Sequence, residues 1–487
     1  MKTDYDVIVA GGGIAGVLTA TSIAINSKEK LKILVIDINK KEELGKKTVN
    51  GWICGDATSK NSVKFIEENL NIIYDEPELA HKVKGVLAYS PDHKTSVLFE
   101  GDGYVINRKI LPQKQMSEAL KQGVEFKFNT RVESLIEKNG YITGVEAREL
   151  DTNKVFTNTS KIVVDSTGSA SRLRENLAIE TKIQKTIDKN DMESTGRYIY
   201  EFKYGEEDKT FFDKDYCLIH LDQYLAPGGY SWVFPKENGK VNIGLGVQKR
   251  ALENRNKKYD KNDNLIGLIG QYVKMNPVIT NPTLSTDEND MGNLEGTWQV
   301  PVRRHNDCLV ANGYAIVGDA AWMPRPIDAG GIGPAIYGSV ILGKVIATAI
   351  KNKNYSEKSL WKYNVEYMNT YGYNMASFEI LRKYLQTLTN DEISYGMKNF
   401  LSQEDIDDIT RRQHPKFNKV KIFNPIMLIK ILTHTKLASG LKYTSSKSSK
   451  LIKHNLNYPT NPEDFEKWQK ELLNEINEAD IRFNLKN

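Results

Sequence analysis

Residues 5–37, YDVIVAGGGIAGVLTATSIAINSKEKLKILVID, decide the fold. The apolar run ending at Ala10 predicts a buried strand, residues 14–26 predict a helix, and residues 32–37 predict a second buried strand, so the chain opens as a βαβ unit. Between first strand and helix stand Gly11, Gly13 and Gly16 in GxGxxG spacing, with Ala15 in the first helical turn. Gly11 permits a tight turn, Gly13 lets backbone approach a pyrophosphate, and Gly16 lets the helix pack on the strand. The helix N-terminus then faces the anion. Asp37 ends the second strand 21 residues after Gly16, where a carboxylate accepts a ribose hydroxyl. Strand, glycines, helix and acid in register predict a dinucleotide site.

The chain around this unit has 487 residues, 40% hydrophobic and 26% charged, enough for several domains and a sizeable core. Its apolar runs fall short of the roughly 18 residues of a membrane-spanning helix, which predicts no span. No basic-then-apolar leader is evident before the first strand. Cys54, Cys217 and Cys308 lie far apart with no CxxC spacing. That argues against a disulfide framework or a cysteine-built metal site, and for a reducing, cytoplasmic compartment. No metal ligand set is predicted.

The net charge of +5 hides an asymmetry. Residues 416–453 hold nine lysines and no acid, leaving 58 basic against 62 acidic residues elsewhere. Lysines interleaved with Ile, Leu, Met and Phe suit an anionic membrane surface, or simply a solvated helical face. With few aromatics and no arginine, the run does not point to nucleic acid. Residues 175–301 alternate apolar and polar positions in short runs, predicting an antiparallel sheet. A buried strand at 314–318 and a long apolar helix from about Gly333 follow, and the chain is helical beyond Ser356. One late helix is capped by Asn461 and Pro462 and carries Phe465, Trp468, Leu472 and Ile476 on one face.

The second motif is Ala315-Ile316-Val317-Gly318-Asp319, an apolar strand ending in Gly-Asp, followed by Ala329-Gly330-Gly331-Ile332-Gly333-Pro334 at a helix start. Paired with the first motif, it resembles the distal flavin motif of glutathione-reductase-type FAD proteins, in their hydroxylase-like branch. The resemblance implies that Asp319 holds the ribityl hydroxyls of FAD and that the Gly331–Ile332 backbone sits near the flavin pyrimidine edge. A positive helix end there stabilises the anionic reduced flavin. By the same resemblance Arg108 reaches the FAD phosphates or ribityl chain, the backbone at Val132 meets adenine, and residues 165–168 form a mainly structural turn. With a single complete GxGxxG and no separate NAD(P)H domain, electrons come from transiently docked nicotinamide or from ferredoxin.

Residues 227–235, PGGYSWVFP, followed by Gly244-Leu245-Gly246, resemble the YxWxFP…GxG signature of the geranylgeranyl reductase family. That family saturates isoprenoid chains of archaeal membrane lipids and chlorophyll side chains. Residues 52–57, WICGDA, resemble its Cys-Gly segment beside the flavin, implying cofactor contact at Cys54 and Gly55. The family more often reads Cys-Gly-Glu-Gly there, so Asp56 and Ala57 depart from it. The resemblance covers roughly residues 1–350. An isolated trisubstituted alkene accepts hydride only as a proton arrives and a tertiary cation begins to form. Aromatic faces stabilise such a cation, and Tyr230 and Trp232, two residues apart on a strand, point to one side. Cys54, Tyr230 and Trp232 are therefore the candidate catalytic residues. Cys54 serves as proton relay or alkene-positioning group, whereas His220 and His305 are expected to be structural.

The expected architecture is α/β: a doubly wound FAD-binding lobe from 1–85, 104–174 and 301–355, an antiparallel substrate lobe from 86–103 and 175–300, and a helical region over 356–487. The expected partners are a prenyl lipid, an anionic membrane surface bound peripherally, and ferredoxin. Two other classes remain: a flavin monooxygenase or halogenase, and a membrane electron-transfer flavoprotein. Halogenases carry a related WxWxIP, and Tyr230 and Phe234 depart from it. Members of the electron-transfer class commonly add a cysteine-ligated cluster, which these cysteines cannot form.

Overall fold

The computed structural model describes residues 3–49, 51, 53–202, 212–275, 278–279, 281–287, 297–401 and 434–485. Tyr5–Ala10 and Ile33–Ile36 form parallel neighbours with the Ile14–Asn26 helix between them. On the other side of Tyr5–Ala10 lies Val155–Asp165, then Tyr314–Ile316, both parallel; Glu125–Lys127 closes the opposite edge. Every residue of Ile33–Ile36 is buried, as a parallel strand covered on both faces requires. The Thr130–Lys138 and Tyr141–Glu149 hairpin extends this sheet antiparallel.

Among the described residues a second sheet has nine strands. Its centre is Met192–Glu201, Lys240–Gln248, Ser231–Pro235 and Tyr216–His220, joined antiparallel. His81–Tyr89 joins Tyr216–His220 as a parallel pair, an exception to the antiparallel expectation. The His81–Tyr89 and Ser96–Val105 hairpin belongs to this sheet over its full length, wider than 86–103, and Ala57–Ser59 forms an edge. Alternation sorts the faces. Val233, Val241, Ile243, Leu245 and Val247 pack under the Leu265–Met275 helix, so Trp232, Phe234, Asn242, Gly244 and Gly246 point the other way.

The Ile332–Lys351 helix has the length and hydropathy of a membrane span, contrary to the sequence expectation, but 83% of its apolar window is buried inside the protein. It packs on the Ile14–Asn26 helix, where Ser339 Oγ donates to Ala15 O at 2.9 Å and Ser22 Oγ to Val340 O at 2.9 Å. The C-terminal region is built into the same core. Phe465, Trp468, Leu472 and Ile476 are all buried, at about 1.5–3 kcal/mol per large apolar side chain. Asn461 precedes a 3₁₀ turn, Pro462–Asp464, before the Phe465–Arg482 helix, and its side chain makes no cap bond.

The basic run divides. Residues 416–433 lie outside the described residues. The remainder belongs to the Thr435–Leu456 helix, whose apolar side is occupied by protein: Leu437 and Leu451 are buried, and a side chain at Gly440 would collide with Tyr384. Lys447 is buried and bridges Glu475 and Glu478 at 2.7 Å each. This half is thus a packed structural helix, and only Lys436, Lys442, Lys450 and Lys453 are exposed.

Candidate active site

The glycine turn is shaped to receive a phosphate-bearing ligand. Gly11 has φ +100°, which only glycine adopts without strain. A side chain at Gly16 would collide with the Gly11 carbonyl, so helix and turn touch only because it is bare, whereas above Gly13 the space is open. Asp37 is buried and accepts Gly12 N–H at 2.6 Å and Asn39 N–H at 2.8 Å. Burial raises its pKa, opposed by those two donors. Arg108 follows the Ser96–Val105 strand and is buried; its Nε has no partner among the described residues. A buried guanidinium N–H without a partner there is of the kind that fits a phosphate. Val132 is not at a strand end. It is third in Thr130–Lys138, where a bulge interrupts the ladder, and Thr130 N–H donates to Asp37 O at 2.9 Å, placing it near the acid.

Gly318–Ala321 forms a 3₁₀ turn. Gly318, at φ +69°, sits against Ala15, so the two glycine motifs touch across some 300 residues of chain. Asp319 pairs with Lys47 at 3.4 Å, and its Oδ1 lies 3.3 Å from where a Cβ on Gly331 would stand. Gly331 caps the Ile332–Lys351 helix, and Ile332 begins it. Lys47 was not singled out in the sequence; no local pattern marks it.

The inner face of the second sheet meets these loops. Tyr230 Oη donates to Asp328 O at 2.6 Å, tying the sheet to the loop before Gly330 and Gly331. Asp328 in turn pairs with Arg325 and accepts Gly330 N–H at 3.0 Å. The Tyr230 and Trp232 rings are 6.0 Å apart, and Trp232 and Phe234 are 6.1 Å apart. Trp232 Nε1 donates to Asn242 Oδ1 at 3.0 Å; Asn242 Nδ2 donates to Cys54 O at 2.9 Å. One buried amide thus fixes the indole and the Cys54 loop together. Gly55 lies under Phe234, whose ring would be 2.7 Å from an added Cβ. After Cys54 the backbone turns through Asp56 at φ +66°, a conformation Asp tolerates better than most residues, and Asp56 N–H donates to Cys54 Sγ at 3.3 Å.

Burial raises the Cys54 pKa, opposed by Arg108 and Lys47. The group is a thiol near neutral pH. Trp52 lies outside the described residues. His220 sits on the helix-covered face, bonded to Tyr272 at 2.6 Å, and His305 lies against Tyr367 and Gly372 near the C-terminal helices. From sequence, Asn242 and Phe234 have no expected role in the site, although both share the parity of Trp232 on paired strands.

Residues 191–273 match the geranylgeranyl reductase catalytic domain family. In fold, the chain is similar to a geranylgeranyl bacteriochlorophyll reductase-like protein from Thermoplasma acidophilum, with a TM-score of 0.68, 23% identity, and 89% of this chain and 99% of that one covered. It is also similar to the myxobacterial FAD-dependent chondrochloren halogenase, at a TM-score of 0.63 and 15% identity over 93% and 96% of the two chains. These neighbours share the fold of this chain. In sequence it is 28% identical to digeranylgeranylglycerophospholipid reductase 1 of Methanococcoides burtonii, over 84% of this chain and 89% of the relative. It is 31% identical to the digeranylgeranylglycerophospholipid reductase of Sulfolobus acidocaldarius over 97% of this chain and 98% of the relative. That similarity runs through the C-terminal helices, past the residue 350 where the motifs end, and with the aromatic sheet and both glycine turns in place the chain belongs to the digeranylgeranylglycerophospholipid reductase family.

Proposed function

We propose that this protein is an FAD-dependent oxidoreductase that hydrogenates isoprenoid C=C bonds, its substrates being geranylgeranyl chains of archaeal-type glycerophospholipids. The observation that carries this reading is the convergence of Cys54, Tyr230 and Trp232 on one sheet face beside the Gly330–Gly331 turn. The residues that would hold the cofactor are Gly11, Gly13, Ala15 and Gly16 at the pyrophosphate, Asp37 at the adenosine ribose, and Val132 at adenine. Arg108 and Asp319 serve the phosphates and ribityl chain, and Cys54, Gly55, Gly331 and Ile332 the ring. When bound and reduced, the flavin supplies hydride from N5. The faces of Tyr230 and Trp232 stabilise positive charge developing on the alkene and pack the prenyl chain. Cys54, a thiol held by its own loop, positions the alkene. The Tyr230–Asp328 bond orients the ring and excludes water from that side.

Electrons arrive by docking of a nicotinamide or of ferredoxin, since one dinucleotide turn serves the resident cofactor. The enzyme works from the cytoplasmic side of an anionic membrane, held peripherally by lysines of the basic run. Because residues 434–453 belong to a packed helix, flotation on anionic liposomes is best tested with Lys436→Glu, Lys442→Glu and Lys453→Glu, which should reduce binding several-fold. Undiminished flotation would remove the lysines from the account.

The activity is tested anaerobically. The flavin-loaded protein is photoreduced and mixed with geranylgeranyl glycerophospholipid, and flavin absorbance is followed with product mass. Reoxidation with a gain of two hydrogens per turnover is expected. A flavin that stays reduced until air is admitted would refute this substrate and favour an oxygen-using activity.

A further inference from the structure

The inner face of the second sheet carries a further buried carboxyl. Glu193 stands on Met192–Glu201, buried, beside the Lys240–Gln248 strand. No side-chain hydrogen bond to it is found among the described residues, although other buried carboxylates such as Asp165 and Asp307 are multiply bonded. What lies against it is bare glycine backbone. An added Cβ on Gly246 would lie 3.2 Å from Glu193 Oε2, and one on Gly229 would lie 3.4 Å from it. At Gly244 the absent side chain leaves room for the Trp232 ring. The Trp232 ring over Gly244 and the Glu193 carboxyl over Gly246 thus lie on bare backbone on the same sheet face, with the Tyr230 hydroxyl within reach of the Glu193 charge.

We propose that Glu193 is the proton donor to the substrate alkene, a role that rests on the reductase reading above. The carboxyl and the aromatic pair share the sheet face that the substrate alkene would meet. As the Glu193 O–H bond breaks, a C–H bond forms at the less substituted alkene carbon from the π pair. The other carbon takes its electron pair as hydride from the two-electron-reduced flavin. Glu193 is left as carboxylate and regains its proton from water, closing the balance at two hydrogens added per bond.

The surroundings suit a group that must hold its proton until used. Burial pushes the Glu193 pKa up to about 7, with Arg382 the one opposing charge. Arg382, on Met375–Leu385, is itself engaged by Asp191 at 2.6 Å. Glu193 acts on the Tyr230 hydroxyl, which Cys54 and the Arg325–Asp328 pair also face. Arg197 lies four residues along on the same strand face.

Glu193→Gln keeps the shape and removes the proton; Glu193→Asp keeps an acid on a shorter stem. In anaerobic single turnover with geranylgeranyl glycerophospholipid, Glu193→Gln is expected to lower the reduction rate at least about 100-fold, with flavin content and lipid affinity unchanged and partial recovery in Glu193→Asp. The wild-type rate should fall above pH about 7, and Glu193→Gln should lose that dependence. A protonated-carboxyl infrared band near neutral pH, present in wild type and absent from Glu193→Gln, reads the same proton without turnover. A Glu193→Gln rate within about threefold of wild type would overturn the assignment, as would a loss of rate matched by an equal loss of lipid affinity. If wild type binds the lipid yet leaves it unreduced, the reductase reading fails instead, and the infrared band still reports whether Glu193 holds a proton.

Discussion

The two sheets treat buried carboxylates in opposite ways. At the end of a parallel strand, Asp165 accepts Thr167 N–H at 3.0 Å, Thr167 Oγ1–H at 2.7 Å, Ser171 Oγ–H at 2.5 Å and Tyr314 Oη–H at 2.8 Å. On the inner face of the other sheet, Glu193 stands beside two glycines with its pKa raised by burial. A carboxylate surrounded by donors holds a turn in place. One stripped of donors favours its neutral form and can give up a proton. Burial alone therefore does not separate structure from chemistry; the number of donors aimed at the group does.

The largest effect that would sharpen this contrast lies in the parallel-sheet lobe. Gly16→Val places a side chain on the Gly11 carbonyl, and purified protein should lack flavin absorbance; normal flavin content would mean the turn has more freedom than its packing implies. Next, Asp165→Ala strands three side-chain donors and should lower stability by about 3 kcal/mol in urea denaturation. A change below about 1 kcal/mol would show that water replaces the carboxylate.

Two histidines test the same principle with the sign reversed. Burial holds His220 down to about 3 and His305 to about 4, below the ordinary 6.5. The unfolded chain therefore binds these protons first. Stability should be complete above pH about 6.5 and fall as pH drops toward 4, by about 1.4 kcal/mol per pH unit for each histidine. Replacing His220 by Asn should flatten that acid limb by one proton; an unchanged slope would mean the ring is protonated in the folded state. Glu193, with its raised pKa, works against this trend between pH about 4.5 and 7, so Glu193→Gln should steepen the rise of stability with pH there. The smallest effect is expected from Tyr230→Phe, which removes the bond to Asp328 O. It should lower stability by about 1 kcal/mol and shift the flavin spectrum without loss of flavin. An unshifted spectrum would place the loop's order elsewhere.

Much of the fold was legible because it rests on local rules. Residues 14–26 form a helix over that span, and residues 5–10 a strand, since an uninterrupted apolar run and a glycine turn leave few alternatives. Parity predicted one face for Tyr230 and Trp232; the strand itself begins only at Ser231, and the two rings lie 6.0 Å apart. The parallel pairing of Tyr216–His220 with His81–Tyr89 was not legible, because register between strands over 120 residues apart is set by packing. The pairing of one lysine of the basic run was hidden for a related reason: Glu475 and Glu478, opposite Lys447, stand on another helix.

By itself the sequence determined where backbone must be bare and where it must be buried: the GxGxxG turn, the Gly-Asp turn and the alternating strands. Those are short-range steric facts, carried by residues next to one another in the chain. Only the tertiary structure decided which polar groups meet. Asn242 joins Trp232 to Cys54, Lys47 meets Asp319, and Glu193 is left beside glycines with no donor found. A side chain's hydrogen-bond partners and dielectric depend on what folding brings within a few ångströms, and that determines whether a carboxyl anchors a turn or delivers a proton.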